Sequence, residues 1–109
     1  DKGLLVKTKV ILDDLGIPYY VGKIATGDQF VHSLEMVDKI NQVYDDIYAI
    51  EMEAGAIAHV SSIYNVPFIV YRSISDILGE ESQEVSFDTF VEDAAVNASK
   101  VLSKLIEVL

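Results

Sequence analysis

The sequence has no cysteine, no tryptophan and only two prolines, and its 8 basic residues stand against 18 acidic ones among 109. Without cysteine there is neither a disulfide framework nor a thiolate metal site, which fits a reducing compartment. The formal net charge of −10 repels a phosphate backbone unless the few cations gather in one patch. No such patch stands out along the chain, so nucleic acid is not an expected partner. No apolar run approaches the roughly 20 residues of a membrane-spanning helix, and the opening DKGLLVKTKV lacks the pattern of a cleaved signal peptide. The expectation is a soluble, cytoplasmic protein. Because the first residue is aspartate and the chain opens inside a helical pattern, it also reads as a fragment or a processed piece.

What is present is apolar: 50% of the residues, with a mean hydropathy of +0.29. That supports one domain, or one piece of a larger domain, with a modest core. Leu4, Leu5, Thr8, Ile11, Leu12 and Leu15 recur at three-and-four spacing before Gly16 and Pro18, which predicts a first helix. Tyr19 to Thr26 is β-branched and aromatic and runs into the turn signal Gly27-Asp28, which predicts a strand. A helix follows over Leu34 to Val43, a short strand over Ile47 to Met52, and a helix over Glu53 to Tyr64 that Asn65 and Pro67 close. Phe68 to Ile74, FIVYRSI, is the most strand-like run. GEESQE, from Gly79 to Glu84, reads as a polar loop, and Phe87 to Leu109 as a long amphipathic helix. Neither an internal repeat nor a linker interrupts the pattern.

This alternation of helix and strand builds an α/β layer sandwich. Sheets of that kind take ligands beyond the carboxyl ends of their strands. The three ends carry Thr26-Gly27-Asp28-Gln29-Phe30, Glu51-Met52-Glu53 and Ser73-Ile74-Ser75-Asp76, so each brings a carboxylate. Paired carboxylates suit glycosidic chemistry, where the sugar gains positive charge and the leaving group needs a proton. Hard-cation sites want several oxygens on one loop, and none is spaced that way; His32 and His59 are too isolated for a zinc pair. No GxSxG, P-loop or GxGxxG occurs.

The acids also have structural readings. Glu53 opening a helix is favoured by the helix dipole alone, and Asp76 just past a strand can be a cap. Glu51 interrupts an apolar strand, where a charge is costly unless paired. Arg72, within the next apolar run, is a candidate partner, and a buried pair of this kind can be purely structural.

The segments ATGDQFV, IEMEAGAIAHV, NVPFIVYRSISD and SFDTFVEDAA, in this order and at these separations, resemble the C-terminal half of the 5′-methylthioadenosine/S-adenosylhomocysteine nucleosidases, in the nucleoside phosphorylase/hydrolase superfamily. The resemblance spans essentially the whole chain. It implies a three-layer α/β/α sandwich, here an incomplete C-terminal portion, and a homodimeric enzyme that releases adenine from an adenine nucleoside without a cofactor or a metal. Carried over by position, Asp76 would protonate N7 of adenine, with Ser75 in support. Glu53 and Met52 would hold the ribose, Phe30 would stack near adenine with the Val31 backbone at the base edge, and Phe87 would line the thioether side. Arg72 and Glu51 would organise the water and sugar.

An aspartate at its ordinary pKa of about 3.9 is protonated about once in a thousand at pH 7, so such an acid needs its pKa raised. A lift of about three units corresponds to roughly 4 kcal/mol. The resemblance further implies that the glutamate activating the water belongs to a first half of the same domain that these residues do not include. Gly55 stands where alanine or threonine is common in the family, at a helix-propensity cost of about 1 kcal/mol. Two other readings stay open: a purine nucleoside phosphorylase of the same superfamily, and a non-catalytic nucleoside-binding fragment.

Overall fold

The computed structural model describes residues 1–78 and 87–109, with the side chains of 87–89 left aside. The elements are α1 (Lys2–Leu15), β1 (Lys23–Thr26), α2 (Leu34–Asn41), β2 (Ile47–Glu51), α3 (Ala54–Ile63) and α4 (Phe87–Glu107). They fall into two compact units. The first comprises Asp1–Tyr20, Tyr71–Ser75 and Ser82–Leu109, and the second Val21–Val70 and Asp76–Glu81.

In the first unit α1 packs on α4. The Asp1 carboxylate accepts from the Leu4 N–H at 2.9 Å, satisfying one of the orphan donors at the start of α1. Gly16 ends the helix in the left-handed region (φ 64°), and the Ile17 N–H returns to the Leu12 carbonyl at 3.0 Å. Glycine bears that conformation without a Cβ penalty. Ile11, Leu12 and Val101 form the buried centre, flanked by Leu15, Ile17, Tyr19, Tyr71 and Leu105. Each large side chain so buried is worth about 1.5–3 kcal/mol. The buried Thr8 hydroxyl donates to the Leu4 carbonyl at 2.8 Å, so its polarity is satisfied within the helix. Lys7 Nζ reaches the Val108 carbonyl at 2.8 Å, placing a cation against the carbonyl end of α4. Partial burial, then the Asp13 carboxylate that its hydroxyl hydrogen-bonds, push the Tyr19 phenol above its ordinary pKa.

The second unit is a β-α-β arrangement with α3 following it. β1 and β2 pair in parallel, with Ile24 opposite Ala49, Ala25 opposite Ile50 and Thr26 opposite Glu51. Two parallel strands need a crossover between them, and α2 supplies it. Ser33 caps α2 by accepting from the Met36 N–H at 3.3 Å, and Glu35 pairs with Lys39 at 2.8 Å one turn on. Where the chain enters β2, Lys23 Nζ holds the Asp45 carbonyl at 3.0 Å.

Two strand expectations need correction. The first strand begins at Lys23, not Tyr19, and its register slips between Lys23 and Ile24. Gly22, just before it, lies so close to the Tyr48 ring that a Cβ there would overlap it. Tyr19, Tyr20 and Val21 stay off the ladder despite their aromatic and β-branched character. The FIVYRSI run forms no strand: among the described residues the sheet has two strands, and Arg72 is exposed instead of lying within a third. β-branched and aromatic side chains favour a pleated, half-buried surface, yet a strand exists only where a neighbour completes its hydrogen bonds. The GEESQE segment lies outside the described residues.

Candidate active site

The carboxyl ends of β1 and β2 meet the start of α3, and the junction is held by named hydrogen bonds. The ladder extends one step past β1, with the Gly27 N–H donating to the Glu51 carbonyl at 3.3 Å. Glu51 is buried, at 8% exposure. Its Oε2 accepts from the N–H of Glu53 at 3.0 Å and of Ala54 at 2.8 Å. The cost of a charge at the end of an apolar strand is thus offset by the positive end of a helix. Hydrogen bonds to a charged group are worth about 1.5–3 kcal/mol each. The next amide, that of Gly55, donates to Thr26 Oγ1 at 2.9 Å.

The capping of α3 consequently falls to Glu51 and not to Glu53. Glu53 occupies the cap position without making a side-chain cap bond, and its Oε2 turns back to the Met52 N–H at 3.3 Å. Glu53 and Met52 are both exposed, at the mouth of the strand ends. Glu53 stands at the start of α3, where the helix dipole favours a carboxylate, without a side-chain bond to the α3 amides. For Glu51 the required partner comes from backbone amides.

The remaining residues singled out in the sequence are distributed as follows. Phe30 is exposed and its ring stacks on His32, with centroids 6.2 Å apart and planes 29° from parallel. Val31, between them, is half-buried. Asp76 is exposed and belongs to the same unit as Glu51, Met52 and Glu53, whereas Arg72 and Ser75 belong to the first unit. Phe87 opens α4, and its side chain lies outside the described residues. The structure therefore brings together the Glu51, Met52, Glu53 and Thr26 ends. Sequence reasoning missed Thr26 and Gly55 as a bonded pair. The only signal for them was a hydroxyl at a strand terminus and a glycine inside a helix start. Among the described residues, no group of three metal-ligating side chains lies together, and no helix is long and apolar enough to cross a membrane.

The phosphorylase superfamily model matches residues 1–107, and the chain belongs to that superfamily. Within it the chain is similar to the 5′-methylthioadenosine/S-adenosylhomocysteine nucleosidase of Bacillus subtilis, at 42% identity over 98% of this chain and 46% of that protein. The nucleosidase of the same name from Anoxybacillus flavithermus is 47% identical over 81% of this chain and 38% of that protein. Among solved structures, the Campylobacter jejuni 5′-methylthioadenosine/S-adenosyl homocysteine nucleosidase superposes with a TM-score of 0.90, at 32% identity over 100% of this chain and 47% of that one. The futalosine hydrolase of Helicobacter pylori superposes at 0.85, with 34% identity over 100% of this chain and 44% of that one. The chain is thus a nucleosidase-like α/β portion of the nucleoside phosphorylase fold, spanning about 46% of the length of the Bacillus subtilis relative.

Proposed function

We propose that these 109 residues are the C-terminal portion of a single nucleosidase domain that hydrolyses the N-glycosidic bond of 5′-methylthioadenosine and S-adenosylhomocysteine, releasing adenine. The observation that carries this reading is the β2–α3 turn. Glu51 takes the helix amides, and Glu53 and Met52 are left at the strand mouth in a chain 42% identical to a nucleosidase of that specificity.

In this mechanism the bond between C1′ of the ribose and N9 of adenine breaks. Asp76 delivers its proton to N7, so adenine leaves as a neutral base. The ribose becomes cationic as the bond lengthens, and the Glu53 carboxylate, accepting from the ribose hydroxyls, binds that state more tightly than the ground state. Met52 packs against the sugar. Phe30 offers its face to the base, with the Val31 backbone at the base edge, and Ser75 supports Asp76. The roles that the family resemblance assigns to the remaining residues are the water side for Arg72 and Glu51 and the thioether side for Phe87. Water adds to C1′, giving up its proton to a carboxylate that the other half of the domain provides. No cofactor or metal enters. The assembly we propose is a cytoplasmic homodimer.

The deciding experiment is adenine release by Asp76→Asn. Loss of the proton donor lowers turnover by about 10²- to 10⁴-fold with substrate binding retained; full activity in the variant removes the assignment. The likeness to a futalosine hydrolase favours a second reading, hydrolysis of a different nucleoside on the same machinery. A panel of methylthioadenosine, S-adenosylhomocysteine and futalosine separates the two by kcat/KM. Phosphorolysis would show as activity that depends on inorganic phosphate and yields a sugar phosphate, and a non-catalytic nucleoside-binding fragment as adenine-nucleoside binding without adenine release.

A further inference from the structure

The first amides of α3 are taken by two residues, and only one of them lies on the turn itself. Glu51 holds the amides of Glu53 and Ala54. The amide of Gly55 is held from the neighbouring strand, by Thr26 Oγ1 at 2.9 Å. Thr26 is the last residue of β1 and sits opposite Glu51 in the parallel register. A Cβ added at Gly55 would lie 3.2 Å from Thr26 Oγ1 and 3.1 Å from its Cγ2, so the helix start and the strand end approach within what a side chain at position 55 would fill. The turn carrying Met52 and Glu53 is therefore clamped from both sides, by Glu51 beneath it and by Thr26 across the sheet.

We infer that Thr26 is a positioning residue for Glu53: its hydroxyl, acting through the Gly55 amide, sets where the Glu53 carboxylate stands relative to the sugar. The inference rests on the nucleoside-hydrolase reading above, since it assigns Glu53 a ribose to hold. Thr26 itself touches no reacting atom. A carboxylate that accepts from two hydroxyls must be held closely, because small misplacements at a site cost large factors in rate. A short side chain at a strand end, bonded across to a helix amide, supplies that rigidity better than a bond within the turn, because it refers the turn to the sheet.

The test compares the protein with Thr26→Val, which keeps the shape but not the acceptor, and Thr26→Ser, which keeps the acceptor. The probes are adenosine and 2′,3′-dideoxyadenosine in binding titrations, with amide hydrogen exchange on the same samples. The expected result is exchange of the Gly55 amide at least about tenfold faster in Thr26→Val, together with an adenosine affinity about tenfold weaker and an unchanged affinity for the dideoxy probe. Thr26→Ser restores both. A merely structural role would weaken both probes alike or neither, and either result overturns the inference. If Thr26→Val does not fold, Thr26→Ala removes the same acceptor with a smaller side chain, and the same selective loss for adenosine is expected there. Failure of the unaltered protein to bind adenosine removes the nucleoside reading and this role with it, whereas adenosine binding that Thr26→Val leaves intact removes the role alone.

Discussion

The two units of the chain are stabilised by different chemistry. The first is centred on apolar burial, with Ile11, Leu12 and Val101 at 5%, 3% and 3% exposure. In the second, the buried residues among those described are Ala54 and the charged Glu51, while Tyr48, Ile57, Val60, Ile63 and Tyr64 are exposed. Its order at the strand ends comes from directed hydrogen bonds: Glu51 to two amides, Thr26 to a third, and Gly27 to the Glu51 carbonyl. Apolar burial is non-directional and tolerates small shifts, whereas hydrogen bonds fail steeply with distance and angle. The unit that carries the candidate catalytic turn is the one built from the interaction that specifies geometry.

Three substitutions would break or sharpen this contrast. Leu12→Ala removes a side chain from the apolar centre, with an expected loss of about 2–5 kcal/mol. Denaturant unfolding gives the size, and faster amide exchange in α1 and α4 but not at Ala54 gives the location. Glu51→Gln keeps an acceptor and a similar shape but gives up the charge, and charge-assisted bonds are roughly twice as strong as neutral ones. About 1–2 kcal/mol should be lost, with the Glu53 and Ala54 amides exchanging faster while α1 keeps its protection. Equal spreading of either effect over both units would refute the division between them. Lys39→Ala breaks an exposed pair one helical turn apart and should change stability by no more than about 0.3–0.5 kcal/mol, less at high salt. A larger loss would show that the second unit depends on its surface charges more than its strand ends indicate.

Much of the helical content could be read directly. The three-and-four spacing before Gly16 placed α1 to within two residues of its start, and the apolar stripe after Phe87 matches α4 from its first residue. These elements make their backbone bonds internally, so a local pattern carries the information. The strands were harder for the same reason reversed. FIVYRSI has strong strand character, and Tyr19 to Gly22 has nearly as much, but membership of a sheet depends on a neighbour that no local window contains. At the candidate site, the family segments singled out Glu51, Met52 and Glu53, and the expense of a buried charge required a partner for Glu51. That the partner would be two backbone amides, and that Thr26 would take the third, follows only from the meeting of β1, β2 and α3.

By itself, then, the sequence determined the helices, the superfamily and the two glutamates at the end of β2, because periodicity, motif order and residue chemistry are properties of neighbouring positions. The tertiary structure alone decided which acid caps the helix and which stands at the strand mouth. Those two glutamates are a single residue apart, and their roles separate only when the β2–α3 turn aims one carboxylate at the α3 amides and turns the other toward solvent.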